Sequence, residues 1–155
     1  MTLKTETNVA AQPQATVFSL TDTPLLSSGS TDRVVARSPQ LVSRIKVYAE
    51  GGENALHAHQ QEEHVFLVLA GQATFFLDKE ERQTVVNKFE GVLLPAGAYY
   101  RFQSSGDENL VMFRVGTGKG PQDDRMGPNG RALPGNSAEN KHVPGTVRPD
   151  AFFGR

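Results

Sequence analysis

Short runs of Val, Phe, Tyr and Thr, alternating with polar residues or wholly apolar, recur along the chain between turn residues, and apolar positions at helical spacing are scarce. Runs of this kind, bounded by Gly, Pro, Asn, Asp and Ser, predict β-strands. We expect about ten strands, over residues 15–20, 33–37, 40–50, 55–59, 64–69, 72–78, 84–89, 91–94, 99–104 and 108–115. Many short strands with tight connections and no helical crossover predict an all-β sandwich, jelly roll or barrel.

The composition changes near Gly116. The 40 residues from Gly116 to Arg155 include eight Gly and five Pro and few aliphatic residues, so we expect no second hydrophobic core there. The sequence therefore predicts a disordered N-terminus over 1–15, one barrel domain over 16–118 and an extended, irregular tail over 119–155. The adjacent Phe152 and Phe153 are unusual in a solvated segment, so two alternatives stay open: the tail wraps the barrel or a partner subunit, or it is free in solvent.

Length, charge and cysteine content narrow the function. A chain of 155 residues fits one domain, and the absence of cysteine excludes disulfides, thiolate zinc sites and iron–sulfur clusters. The formal net charge of -1 provides no basic footprint for nucleic acid or an anionic membrane. We find neither a targeting signal at the N-terminus nor a stretch that could span a bilayer. We expect a cytoplasmic protein whose partner is a small molecule, not nucleic acid or a membrane.

Three of the four histidines fall within eight residues: His57, His59 and His64. Because alternate side chains of a strand share a face, His57 and His59 project together and could chelate one ion, and a ligand from the next strand would complete the set. Three neutral imidazoles suit Zn, Fe, Ni, Cu or Co and leave coordination positions open. The alternative is a polar turn that binds no metal.

Two stretches, Gly52 to Gly71 and Gly91 to Gln103, resemble the paired motifs of the cupin superfamily, G(X)5HXH(X)3-4E(X)6G and G(X)5PXG(X)2H(X)3N. The matched positions are His57, His59, Gly71, Gly91, Pro95 and Gly97. With the flanking strands, the resemblance covers about residues 33–115. It implies a double-stranded β-helix of jelly-roll type, one metal ion in the barrel mouth and, frequently, a homodimer.

Two departures from the motifs concern the site. His64 stands at the glutamate position and Tyr100 at the second-motif histidine position, so three imidazoles are retained in a different arrangement. Glu63 is a rival to His64 as third ligand, and because neighbouring strand residues face opposite ways only one of the two can face the cavity. If His64 is the ligand, Glu62 and Glu63 are solvated acids or partners that orient an imidazole. Tyr100 could be a fourth ligand, face the substrate, or act as general acid or base; the alternative is a plain wall residue.

These features favour a metal-dependent enzyme that acts on a small organic molecule, with dioxygenase-type oxidation as the first hypothesis. A redox-inert isomerase, lyase or hydrolase and a non-catalytic ligand-binding module are the alternatives. We expect one divalent ion per chain, with Fe or Zn favoured over Ni, Mn, Cu and Co. Side chains that could meet a substrate inside the barrel are Arg44, Tyr48, Phe66 and Phe102, with Lys46 and Arg114 as further cations.

Overall fold

The computed structural model describes residues 12–49, 53–118 and 123–155, and these contain twelve β-strands and no helix. The strands are β1 Thr23–Ser28, β2 Ser30–Arg37, β3 Leu41–Tyr48, β4 His57–His59, β5 His64–Ala70, β6 Ala73–Leu77, β7 Arg82–Val86, β8 Gly91–Leu94, β9 Tyr99–Ser104, β10 Leu110–Thr117, β11 Arg125–Met126 and β12 Thr146–Phe153.

Two five-stranded antiparallel sheets form the barrel. One sheet has the order β2-β3-β10-β5-β8 and the other the order β11-β4-β9-β6-β7. From β3 onward the chain passes from one sheet to the other at nearly every connection, which is the jelly-roll arrangement of a double-stranded β-helix. The predicted fold class is therefore confirmed.

The main core lies between the two sheets. Phe66 on β5 packs against Phe75 on β6 and Phe102 on β9, with ring centroids 5.7 and 5.5 Å apart. These strands alternate buried and more exposed positions, as in Phe66 and Val68 with the less buried Leu67 between them, because a strand facing a core buries every second side chain.

A second apolar cluster lies on the outer face of the first sheet. It contains Ile45, Val47 and Val111, and it is covered by Leu26 of β1. The C-terminal strand β12 pairs with β1 in a separate two-stranded sheet, and Phe153 packs against the cluster. In the part of the chain that the structure describes, the tail thus lies on the barrel at β12 and again at β11, which pairs with β4.

Several sequence-based boundaries differ from the structure. Residues 15–20 were expected to form a strand, but they form none, and Val17 there is 96% exposed: its alternating pattern finds no partner strand. Instead β1 follows at Thr23, and β2 begins at Ser30, earlier than expected. Of the N-terminus predicted as disordered, residues 1–11 lie outside the described residues, as do Glu50 of the third predicted strand and Gly52 of the first motif.

Candidate metal centre

The three clustered histidines come together inside the barrel. His57 and His59 lie on β4, and His64 begins β5 in the facing sheet; all three are at least 95% buried. The ring centroids of His59 and His64 are 4.2 Å apart and those of His57 and His59 are 5.3 Å apart. Tyr100 pairs with His57 across β4 and β9, with a ring centroid distance of 4.5 Å. Strands β4, β5 and β9 thus bring four polar rings into one group.

Each imidazole is held at its Nδ1 atom. His57 Nδ1 lies 2.7 Å from the carbonyl oxygen of Ala55, and His59 Nδ1 lies 2.5 Å from Oδ1 of Asp124. These acceptors require a proton on Nδ1, so the Nε2 atom of each ring is the lone-pair nitrogen. His59 Nε2 is buried and has no hydrogen-bond partner. Histidines that bind metals in proteins show this arrangement, in which a carbonyl or carboxylate fixes the ring from behind.

His64 makes contacts at both ring nitrogens. Its Nε2 atom lies against the guanidinium of Arg114, and its Nδ1 atom lies 3.3 Å from the hydroxyl oxygen of Tyr100. Tyr100 therefore contacts the back of an imidazole, and burial raises its pKa, which keeps the phenol protonated.

Glu62 brings a carboxylate to the same group. Its Oε2 atom lies 2.9 Å from His64 Nε2 and 3.3 Å from Nη2 of Arg114. The guanidinium of Arg114 lies against both Glu62 and His64, and it donates to the carboxylate of Glu62. The ligand atoms of His59, Glu62 and His64 lie within 4.8 Å of one another, so this group could hold a metal ion. His57 lies beside this group, but it belongs to none of the groups of three potential ligands found among the described residues.

Glu63, the predicted rival of His64, is exposed on the other side of the chain, and its backbone N–H bonds to Thr117 Oγ1. The inward face of β5 belongs to His64, and the acid near the imidazoles is Glu62. Glu62 lies in the irregular segment before β5, where strand alternation does not apply, so its orientation does not follow from the sequence pattern.

The histidines are neutral at pH 7 because of their burial. Desolvation lowers the pKa of His57 to about 3 and that of His59 to about 4, and it lowers the pKa of His64 as well, with the nearby Arg114 adding to the effect. A neutral imidazole binds a metal without first losing a proton. The donor set, its tautomers and its protonation state all fit a divalent ion.

A cavity of about 800 Å³ adjoins the group. Its lining includes three cations, Arg44, Lys46 and Arg114, and three aromatic side chains, Tyr48, Phe66 and Phe102. The predicted substrate-facing residues Arg44, Tyr48, Phe66 and Phe102 thus line a single cavity together with His57, His59 and Tyr100.

Asp124 is the site residue that the sequence did not reveal. It lies in the tail just before β11, 65 positions from His59, and its Oδ2 accepts from the Gln61 N–H at 2.9 Å. The only local sign was the acidic pair Asp123-Asp124 within a Gly/Pro-rich stretch, and such a pair is common at surfaces.

Two facing antiparallel sheets around buried imidazoles and a carboxylate define a double-stranded β-helix protein with a His/Glu group suited to a metal ion. Residues 44–116 match the family model Cupin_2, cupin domain, so this stretch is a cupin domain, as the motifs predict.

Solved structures share the fold at low sequence identity. KdgF from Halomonas sp. is 14% identical with a TM-score of 0.54, over 62% of this chain and 82% of that chain. A cupin 2 domain-containing protein from Halorhodospira halophila is 20% identical with a TM-score of 0.55, over 64% and 70%. The DMSP lyase DddQ from Ruegeria pomeroyi is 15% identical with a TM-score of 0.55, over 68% and 54%.

A search of the curated proteins found no significant match. Among the described residues, no helix is long and apolar enough to cross a membrane.

Proposed function

We propose that this cupin is a metal-dependent enzyme that acts on a small organic molecule in the barrel cavity. The observation that carries the proposal is the buried, unpartnered Nε2 of His59, whose ring is held at Nδ1 by Asp124, beside His57, which is held at Nδ1 by the Ala55 carbonyl. Burying an imidazole nitrogen without a hydrogen-bond partner lowers the stability of the folded protein. A metal ion would bind to the lone pair of this nitrogen and supply the missing partner.

His59, Glu62 and His64 would hold the ion, with His57 as a further imidazole ligand beside them. Two histidines and one carboxylate are the donor set typical of non-haem iron oxygenases, which makes dioxygenase-type oxidation the first candidate reaction. When bound, ferrous iron supplies a Lewis acid that also activates dioxygen, whereas zinc or manganese supplies the Lewis acid alone.

The chain's own residues have definite tasks in this proposal. Asp124 fixes the ring of His59, and the Tyr100 hydroxyl fixes the ring of His64. The aromatic side chains of Tyr48, Phe66 and Phe102 give the cavity an apolar part of its lining. Arg114 bonds Glu62 and lies against His64, so an ion held by these two residues would compete with its guanidinium.

The first test is elemental analysis of protein purified without a metal-binding tag. We expect about one divalent ion per chain, lost in His59→Ala and retained in the control His142→Ala, which changes an exposed histidine of the tail. Glu62→Gln and Glu63→Gln form a second matched pair: the first should weaken metal retention and the second should leave it unchanged. Wild-type protein without stoichiometric metal would contradict the proposal. His57→Ala tests the remaining predicted ligand.

The reaction class needs a separate test. Oxygen consumption by the iron-loaded protein with a panel of small organic acids supports oxidation, whereas turnover that proceeds equally without air indicates the redox-inert isomerase, lyase or hydrolase alternative. Ligand retention without any turnover indicates a binding module. A cytoplasmic location and a homodimer stay predictions.

A further inference from the structure

We infer that Arg44, Lys46 and Arg114 form a carboxylate-binding site on the cavity wall, so that the substrate is a small organic anion with an apolar body. The inference rests on the proposed function, because it names the substrate class for the same cavity. Three observations support it: the strand register of the three cations, the number of carboxylates that contact them, and their unpaired hydrogen-bond donors.

Strand register concentrates the three cations. Arg44 on β3 lies directly opposite Arg114 on β10, and Lys46 lies two residues further along β3 on the same face. Like charges opposite each other on a sheet are destabilising. Lys46 and Arg114 are also more than 90% buried, so water screens their repulsion poorly. An anion placed in the cavity would reduce the repulsion among these cations and so stabilise the sheet.

Two carboxylates contact the three cations. Asp32 bonds both Arg44 at 3.1 Å and Lys46 at 2.6 Å, and Glu62 bonds Arg114 at 3.3 Å. Three clustered cations thus share two carboxylates.

The two guanidinium groups are also short of acceptors. The Nε atoms of both Arg44 and Arg114 are buried, and neither has a hydrogen-bond partner. A guanidinium binds a carboxylate through two parallel N–H donors, and Nε is one of the donors that such a pair uses. A carboxylate bound against these guanidinium groups would add acceptors to a cluster in which donors outnumber acceptors.

The rest of the cavity indicates what is attached to the carboxylate. Tyr48, Phe66 and Phe102 line it together with the cations, and their rings offer an apolar surface to a ligand. An anion with a flat or aliphatic body can contact both the cations and the aromatic rings, whereas a neutral analogue of the same shape can contact only the rings favourably.

Isothermal titration calorimetry with benzoate and the isosteric neutral benzamide tests the inference on the protein as purified. We expect benzoate to bind more tightly than benzamide, and Arg44→Gln to weaken benzoate binding about tenfold to a hundredfold. The control Arg82→Gln removes one positive charge from an exposed arginine on β7 and should leave binding unchanged. Arg44→Lys, which keeps the charge without the paired donors, should give an intermediate loss.

Equal binding of the two probes, no benzoate binding, or unaltered benzoate binding by Arg44→Gln would overturn the inference. Far-UV circular dichroism and metal content of Arg44→Gln verify that the variant is folded; if it is not, Arg44→Lys carries the test. Binding of benzoate to metal-free His59→Ala separates the two proposals. Retained binding there supports the anion site even if the wild-type protein holds no metal, whereas a metal-loaded wild type without charge-dependent binding refutes only the anion site.

Discussion

Replacement of Asp124 by asparagine tests whether the C-terminal segment contributes to the metal centre. The carboxylate of Asp124 is the partner of His59 Nδ1 at 2.5 Å, and its other oxygen accepts from the Gln61 N–H at 2.9 Å. Asparagine is nearly isosteric but has one acceptor oxygen and no charge, so it can keep one of the two bonds and must lose the other.

The magnitude follows from these two bonds. Removing a carboxylate that orients a metal-binding histidine typically weakens metal affinity ten- to a hundredfold, or about 1.4 to 2.8 kcal/mol. If asparagine instead keeps the bond to His59 and loses the one to Gln61, the segment between β4 and β5, which contains Glu62, is freed from the tail. Because either loss acts on a proposed ligand, we expect a value within that range.

Competition between the protein and a chromophoric chelator for Zn²⁺ measures the affinity. Asp107→Asn is the matched control, because Asp107 is exposed in the turn between β9 and β10 and its replacement removes the same charge. Circular dichroism confirms that both variants are folded. If Asp124→Asn binds Zn²⁺ within a factor of two of the wild type, Asp124 does not orient a ligand and the reasoning is refuted.

Three further predictions concern stability. Phe75→Ala should lower the free energy of unfolding by about 3 to 5 kcal/mol in denaturant titration, because it opens a cavity in the main core, whereas Phe89→Ala at an exposed site should change it by less than about 1 kcal/mol; similar losses in both would contradict the assigned core. Gly71→Ala should cost more than Gly97→Ala, measured in the same way: both have positive φ, but a Cβ at Gly71 would lie 2.6 Å from the Asn109 carbonyl oxygen, and one at Gly97 meets nothing within 4 Å. Metal-free protein should lose stability as the pH falls from about 6.5 toward 4, by about 1.4 kcal/mol per pH unit for each buried histidine. The histidines of the unfolded chain take up protons in this range, whereas the pKa values of His57 and His59 in the folded protein are about 3 and 4. A free energy of unfolding that does not change over this window would contradict their burial as neutral groups.

The positions of the clustered histidines show how much local pattern can predict. Strand alternation placed His57 and His59 on one face and set His64 and Glu63 on opposite faces, and in the structure His64 is the buried one of this pair. These are properties of an extended backbone, where side-chain direction depends only on parity along the strand. The choice of His64 over Glu63 came from the motif spacing, and the jelly-roll barrel was implied by the resemblance to the cupin motifs.

Parity fails wherever the chain leaves a strand. Glu62 lies in the connection between β4 and β5, and its carboxylate turns toward His64 because the local backbone, held by Asp124 at Gln61, permits it. Residues 15–20 illustrate the reverse case, since an alternating pattern without a neighbouring strand to pair with gives no strand.

The sequence by itself determined the all-β class, the two motif regions and the strand faces of the three histidines, because these depend on short-range periodicity and turn chemistry. Only the tertiary structure decided that the Gly/Pro-rich tail returns to the barrel, with β12 on β1 and Asp124 behind His59. It likewise set Arg44 opposite Arg114. Contacts between residues 65 or more positions apart depend on strand pairing across the whole chain, and no local pattern encodes which strands will pair.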